Sequence, residues 1–152
     1  MTIKEFQGDY RFLSNFWTSP IYLEGVGTFM SAEHLYQAFK TTDLSEVRQV
    51  LACPTPGEAK KLGRTLTLRP DWEDVKDRAM EITVARKFYS SPDLMYRLWS
   101  TEGELIEGNT WHDNYWGACS CEKCSGKPQL NRLGHILMDL RDETYSRAAV
   151  DI

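Results

Sequence analysis

The chain has 152 residues, of which 41% are hydrophobic and 26% charged; these are ordinary values for one globular domain spanning residues 1–152. No apolar run approaches the ~20 residues of a membrane-spanning helix, and residues 1–5 lack the pattern of a secretion signal. We therefore expect a cytoplasmic protein without a membrane partner. The net charge of −4 and the pI near 5.4 disfavour broad nucleic-acid binding, which needs a basic face, but allow a local phosphate pocket.

The first half of the chain predicts a β-hairpin followed by a helix. Residues 21–30 place Glu24-Gly25 between two short β-rich runs, which is typical of a hairpin. Ser31 is a favourable N-cap residue for the helix that follows. Its apolar face is predicted from helical spacing and comprises Ala32, Leu35, Tyr36 and Phe39. A polar stripe recurs beside that face at Glu33, Gln37 and Lys40.

The remaining chain predicts more helices and few strands. Thr55, Pro56 and Glu58 form the pattern of a capping box at a helix start, and Asp71 is placed to cap the longest helix. Further helices are expected at about 43–51, 55–63, 72–89, from 91, and at about 129–141, with a loop at 108–128. Helices and strands do not alternate regularly, which disfavours a parallel doubly wound sheet. The predicted class is α+β: a predominantly helical single domain with a small antiparallel β component.

Several common catalytic motifs are absent from the sequence. It contains no phosphate-binding loop, no dinucleotide-binding glycine fingerprint and no H-E-x-x-H pair, and no G-x-S-x-G elbow. The zinc deaminase pattern requires H-x-E followed by P-C-x-x-C. Here Glu33 directly precedes His34, and the Cys121-x-x-Cys124 pair follows Ser120 instead of proline. The absence of these motifs argues against the corresponding classes of enzyme.

A cluster of cysteines predicts a metal-binding site. Cys119, Cys121 and Cys124 form C-x-C-x-x-C, and without a secretion signal we interpret them as reduced thiols. A structural zinc site usually has four ligands, and the fourth is Cys53, His112 or His135. Loop thiols without metal are the alternative.

Several short segments carry a resemblance to a known family. They are Leu13-Ser14-Asn15-Phe16, Ala32-Glu33-His34 with Gln37 and Lys40, Leu62-Gly63-Arg64, Leu68-Arg69-Pro70-Asp71-Trp72-Glu73-Asp74-Val75-Lys76 with Met80, Lys87-Phe88, Leu105-Ile106-Glu107, Asp113-x-x-Trp116-Gly117, and Asn131-x-Leu133-Gly134-x-x-Leu137-Met138-x-x-Arg141. Each segment is weak alone, but their order and spacing are specific. Together they resemble the NADAR family, the YbiA-like N-glycosidases linked to NAD and ADP-ribose chemistry, over about residues 12–141.

The resemblance implies a YbiA-like fold and hydrolysis of the bond between a ribose phosphate and a nitrogen base. Substrates attributed to the family are early riboflavin-pathway intermediates and ADP-ribose attached to guanine. The implied partner is therefore a nucleotide-like small molecule or an ADP-ribosylated base in DNA, and the chemistry requires no cofactor. The sequence departs from many members at 119–124, where they carry a glycine-rich stretch.

The resemblance also implies site residues. Such hydrolysis passes through an oxocarbenium-like sugar, so a nearby carboxylate is needed, and Glu33 is the first candidate for it. Asp113 is the second carboxylate; a helix-start Glu and a loop Asp in an Asx turn are the structural alternatives. The candidates for substrate binding are Trp72 and Trp116 for stacking, Asn15 for hydrogen bonding, and Lys40 and Arg64 for phosphate.

Two further hypotheses belong to other functional classes. A non-catalytic ADP-ribose or nucleotide-binding module would keep the aromatic and basic residues and tolerate loss of Glu33. A small zinc-clipped interaction module would depend on the cysteine trio instead. The sequence does not indicate an oligomeric state.

Overall fold

The computed structural model describes residues 1–150. Within them the elements follow in chain order as β1 (Thr2–Ile3), a 3-10 helix (Gly8–Leu13), β2 (Thr18–Leu23), β3 (Gly27–Ser31), α1 (Ala32–Ala38), α2 (Leu44–Ala52), α3 (Pro56–Gly63), α4 (Trp72–Tyr89), α5 (Pro92–Trp99), β4 (Glu104–Leu105), β5 (Gly108–Asn109), β6 (Ala118–Cys119), a 3-10 helix (Glu122–Cys124) and α6 (Arg132–Val150). The chain divides into two compact units. We call Asn15–Pro92 the central unit, and Met1–Ser14 with Asp93–Ile152 the terminal unit.

The central unit is built around a hairpin and helix α1. Strands β2 and β3 pair antiparallel, with Ile21 opposite Phe29, and the turn between them contains Gly25 at φ 78°. Helix α1 packs against this hairpin and against α2, α3 and α4. The buried cluster so formed comprises Ile21, Phe29, Ala32, Leu35, Ala38, Val50 and Leu66. Helix α1 therefore lies inside its unit, and all seven of its residues are buried.

The terminal unit contains two short parallel strand pairs and the long helix α6. Strand β1 pairs with β4, and β5 pairs with β6. Gly134 of α6 lies against strand β4, because a Cβ at this position would be 2.1 Å from the carbonyl oxygen of Leu105. Farther along α6, the Thr144 hydroxyl accepts a 2.8 Å hydrogen bond from Trp99 Nε1. These two contacts hold the first and second halves of α6 against the rest of the terminal unit.

The architecture confirms the α+β class and the dominance of helices, and the antiparallel hairpin and the caps at Ser31 and Thr55 are as expected. Four details differ. The segment 108–128, expected as a loop, contains strands β5 and β6 and a 3-10 helix. The two smaller strand pairs are parallel. The last helix continues past Arg141 to Val150, since no Gly or Pro interrupts it. Asp71 stands at the N-cap position without a side-chain cap bond, because its carboxylate forms two hydrogen bonds with Arg69.

Among the described residues, none of the helices combines the length and the apolar character needed to cross a bilayer.

Candidate active site

The position of Glu33 in the central unit is fixed by the start of α1. The Ser31 side chain accepts a hydrogen bond from the backbone N–H of His34 at 3.2 Å, which is the ordinary N-cap interaction. The backbone N–H of Glu33 donates to the carbonyl oxygen of Asn15 at 3.0 Å. The segment before the hairpin and the first turn of α1 therefore hold each other in place.

His34 is bonded on both ring nitrogens within the fold. Its Nε2 lies 2.9 Å from the carbonyl oxygen of Cys53, and its Nδ1 lies 2.6 Å from the Ser31 hydroxyl. A carbonyl only accepts, so Nε2 carries the proton and Nδ1 accepts from the hydroxyl. Because both nitrogens are engaged and the ring is buried, His34 serves to anchor α1.

The carboxylate of Glu33 is buried inside the central unit. The residue is 7% exposed, and its Oε1 accepts a 2.6 Å hydrogen bond from Gln37 Nε2, one helical turn along. Burial raises the pKa of Glu33 above its ordinary value, while the Gln37 hydrogen bond and the charges of Lys60 and Lys40 act in the opposite direction. A buried carboxyl whose pKa is shifted by desolvation and by nearby charges is typical of functional sites.

Three basic residues form a cluster of interacting charges, and two of them act on this carboxylate. Lys40 and Lys60 act directly on Glu33. The pKa of Lys40 is lowered, because its half-burial and the charges of Lys60 and Arg64 outweigh the attraction of Glu33. Lys60 and Arg64 are exposed on α3 and at its end. The cluster concentrates positive charge beside one buried carboxylate, an arrangement that suits an anionic substrate.

Aromatic side chains border the same cluster. Trp72 is 7% exposed, and its ring centroid lies 5.4 Å from that of Tyr36, tilted by 54°. Lys40 Nζ lies 6.0 Å from the Trp72 ring centroid, and Lys60 Nζ lies 5.8 Å from that of Phe16. The burial of Trp72 gives it a clear packing role against α1.

Asn15 contributes through both its backbone and its side chain. Besides the carbonyl that receives the Glu33 N–H, its Nδ2 donates toward Met80 Sδ at 3.3 Å. The residue is 8% exposed, and Met80 is one of the buried residues of α4. Asn15 therefore links the start of α1 to α4.

Asp113 and Trp116 belong to a loop of the terminal unit. Asp113 Oδ1 accepts hydrogen bonds from the backbone N–H groups of Tyr115 and Trp116, at 3.1 and 2.9 Å. This is an Asx-type turn. The rings of Tyr115 and Trp116 meet edge to face with centroids 4.8 Å apart. Both bonds use Oδ1, and the other carboxylate oxygen, Oδ2, takes no part in them.

The same loop contains a cluster of metal-ligating side chains. His112, Cys119, Cys121 and Cys124 offer ligand atoms that all lie within 4.8 Å of one another. The thiols are free. Burial opposes ionisation at Cys119, but hydrogen bonds from its neighbours lower the pKa of its thiol to about 6. This donor set is able to hold a metal ion. Of the three candidates for the fourth ligand, His112 is the one that belongs to the cluster.

Comparison with known proteins identifies the family of this chain. The NADAR domain family model matches residues 3–144. The chain belongs to the NADAR family. N-glycosidase YbiA of Escherichia coli (strain K12) is 34% identical over 137 residues, which cover 89% of this chain and 82% of YbiA. The NMR structure of E. coli YbiA superposes with a TM-score of 0.80 at 31% identity, covering 98% of this chain and 86% of that one.

Two other relatives carry different names. N-glycosidase Npun_R5314 of Nostoc punctiforme is 36% identical over 139 residues, which cover 88% of this chain and 85% of that protein. Riboflavin biosynthesis protein VVA0006 of Vibrio vulnificus is 30% identical over 146 residues, covering 95% of this chain and 38% of that longer protein.

In this NADAR chain, the expected site residues fall in both units. Five lie in the central unit, namely Asn15, Glu33, Lys40, Arg64 and Trp72, and there the charges of Glu33, Lys40 and Arg64 interact. Asp113, Trp116 and the cysteine trio lie in the terminal unit. Sequence reasoning did not assign Lys60 to the site, although Lys60-Lys61 with Arg64 is the densest basic run of the chain.

Proposed function

We propose that this NADAR protein is an N-glycosidase, a hydrolase that cleaves the bond between a ribose phosphate and a nitrogen base, with Glu33 as the key carboxylate. The observation that carries the proposal is the buried Glu33 carboxylate, with its raised pKa, beside Lys40 and Lys60. Relatives named N-glycosidase, at 34% and 36% identity, support the reaction class.

The chemistry assigned to Glu33 follows from the transition state. As the bond to the base breaks, the sugar gains oxocarbenium-like positive charge. An ionised Glu33 stabilises that charge and accepts a proton from the attacking water, whose oxygen joins the anomeric carbon. Gln37 fixes the carboxylate through its 2.6 Å hydrogen bond. The departing base takes up a proton from solvent, Glu33 returns to solvent the proton that it took from the water, and we assign no step to a cofactor.

The basic cluster binds the phosphate in this proposal. Lys40 and Arg64 supply charge, and Lys60 is a third cation beside them. Bound phosphate stabilises the charged form of Lys40, whose pKa half-burial lowers. Trp72, whose ring centroid lies 6.0 Å from Lys40 Nζ, is proposed to border the base or ribose. Asn15 and Trp116 are each proposed as further binding residues. Asp113 is proposed as the second carboxylate.

The proposed substrate is a free ribose-phosphate N-glycoside of the riboflavin-intermediate type. Two observations support a small molecule. The net charge of −4 disfavours a long nucleic-acid contact, and one relative is named a riboflavin biosynthesis protein. ADP-ribosylated guanine in DNA is the second candidate, because a flipped-out base needs only a local contact and the family is linked to ADP-ribose chemistry.

A mass-spectrometric hydrolysis assay tests the proposal. The full chain is incubated separately with 5-amino-6-ribosylaminopyrimidine phosphate and with DNA carrying ADP-ribosylated guanine. We expect release of free base and ribose phosphate from the first substrate. The matched variants are Glu33→Gln, expected to abolish release, and Glu24→Gln, which removes one exposed charge at the hairpin turn and should leave release unchanged.

Binding measurements on the same variants separate an enzyme from a reader. Calorimetric titration with ribose 5-phosphate, which neither protein can hydrolyse, should give similar affinities for wild type and Glu33→Gln, because the phosphate contacts remain. Binding without release of base by the wild type, from either substrate, would replace the enzyme with the nucleotide-binding module. Release only from ADP-ribosylated DNA would retain the N-glycosidase and overturn the small-molecule substrate.

A further inference from the structure

The segment between β5 and α6 brings four metal-ligating atoms within 4.8 Å of one another. His112 Nδ1 lies 3.3 Å from Cys121 Sγ, 3.4 Å from Cys124 Sγ and 3.9 Å from Cys119 Sγ. With Zn–S near 2.3 Å and Zn–N near 2.05 Å, the N···S edge of a tetrahedron is about 3.6 Å. The measured distances bracket this value.

The surroundings of the cysteines favour a fixed site over a chance meeting of thiols. Cys119 and Cys124 are each 1% exposed. The backbone of Cys119 is held from both sides, since its N–H donates to Asn114 Oδ1 at 2.9 Å and its carbonyl accepts from Gln129 Nε2 at 2.6 Å. Cys124 is positioned by its N–H, which donates to the carbonyl of Cys121 at 3.2 Å. Such outer bonds orient metal ligands.

We propose that His112, Cys119, Cys121 and Cys124 bind one structural Zn²⁺ ion. Three thiolates and one imidazole form a Cys₃His set, which favours zinc over the hard cations that prefer oxygen ligands. All four tetrahedral positions are filled by the protein, which leaves no position for a reacting water. The three thiols release their protons when the ion binds.

Zinc binding also fixes the conformation of the loop that contains Asp113 and Trp116. Asp113 and Trp116 lie between the first two ligands, and the loop backbone reaches the segment that leads into α6. The carbonyls of Asn114, Tyr115 and Trp116 accept hydrogen bonds from the N–H groups of Leu130, Arg132 and Leu133, at 2.8, 3.0 and 3.0 Å. His112 itself has a positive φ of 71°, an uncommon conformation for a residue with a side chain. Zinc ligation holds it there and so fixes the turn at Asp113.

Metal analysis of the purified full chain tests this site independently of the N-glycosidase proposal. Elemental mass spectrometry should find about one zinc ion per chain in wild type and less than a tenth of that in Cys121→Ser. The matched control is Cys53→Ser, which removes the cysteine outside the cluster and should keep the zinc of the wild type. Refolding with Co²⁺ should give the visible d–d bands of a tetrahedral thiolate complex.

A second measurement covers the case in which Cys121→Ser fails to fold. Wild-type protein is treated with a strong zinc chelator, and amide hydrogen exchange is followed at 109–133. We expect faster exchange in this segment, reversed when zinc is returned, while α1 is unaffected. A folded wild type without metal, or one whose bound metal is iron, would overturn the proposal. So would exchange that the chelator leaves unchanged. Failure of hydrolysis alone would bear only on the proposed function.

Discussion

The backbone of Gly63 lies directly against the side-chain amide of Gln37. A Cβ added at residue 63 would lie 1.9 Å from Gln37 Oε1 and 2.6 Å from its Cδ. The same amide donates from Nε2 to the Glu33 carboxylate, and its Oε1 is buried without a hydrogen-bond partner in the described part of the chain. The missing side chain at position 63 is therefore what allows Gln37 to hold Glu33.

Replacement of this glycine should impair both activity and stability. In Gly63→Ala, the new methyl group displaces the Gln37 amide and frees the Glu33 carboxylate. Because catalysis is sensitive to displacements of about 1 Å, we expect kcat to fall about tenfold to 100-fold. Overpacking should cost about 1–3 kcal/mol of unfolding free energy. Steady-state kinetics and urea unfolding measure the two effects.

Gly57→Ala on the same helix is the matched control for this substitution. Its Cβ would meet only Thr55 Oγ1, at 4.0 Å, so we expect unchanged kcat and a gain of about 0.5–1 kcal/mol from helix propensity. Wild-type kcat in Gly63→Ala would show that the bond between Gln37 and Glu33 does not position the carboxylate.

The buried charge of Glu33 should lower the stability of the folded protein. Because its pKa is raised from the ordinary 4.5, the folded state binds the proton more tightly than the unfolded state does. The stability contributed by protonated Glu33 is present below pH 4.5 and is lost as the pH rises through the raised pKa. Glu33→Gln should therefore be more stable than wild type at pH 7.

Urea unfolding at a series of pH values measures this effect. We expect the advantage of Glu33→Gln to shrink steadily as the pH falls toward 4.5, whereas exposed Glu24→Gln should show no such trend. A Glu33→Gln protein that is less stable than wild type at pH 7 would mean that the ionised carboxylate is a net stabiliser of the fold.

Local signals in the sequence predicted much of the central unit. The caps at Ser31 and Thr55 and the turn at Gly25 depend on neighbouring residues, so a single chain displays them. The burial of Glu33 was not visible in the same way. A polar stripe on a helix normally faces solvent, and only packing of α1 by α2, α3, α4 and the hairpin encloses it. The family resemblance named Glu33 as a candidate carboxylate but did not predict its burial.

Two other features depend on contacts between distant parts of the chain. Lys60 acts on Glu33 because α3 packs against α1, and spacing along the chain does not reveal that approach. The fourth cluster ligand remained open among Cys53, His112 and His135 for the same reason. His112 reaches the cysteines through a backbone with φ 71°, a conformation that residue type alone does not predict.

The acid side of the pH–rate profile should depend on the pKa of Glu33, which the charge of Lys60 lowers. If ionised Glu33 is the base, kcat/KM falls as the pH drops through its pKa in the free enzyme. Lys60 lowers that pKa, so Lys60→Gln should move the acid limb to higher pH. Lys61→Gln, on the next residue of α3, should leave the limb in place. An identical limb in both variants would assign the titration to another group.

Asp113 offers a final separation of charge from geometry. Its Oδ1 accepts the N–H groups of Tyr115 and Trp116, and an asparagine Oδ1 accepts the same two bonds. Asp113→Asn should therefore keep the Tm of the wild type, whereas Asp113→Ala should lower it by leaving the turn without its acceptor.

If the charge of Asp113 serves hydrolysis, both variants should lose kcat to a similar extent, and we expect this outcome. Parallel thermal melts and kinetics on the two variants provide the comparison. Wild-type hydrolysis by Asp113→Asn, with loss confined to Asp113→Ala, would reduce Asp113 to a turn residue. Glu33 would then stand as the single carboxylate of the proposed mechanism.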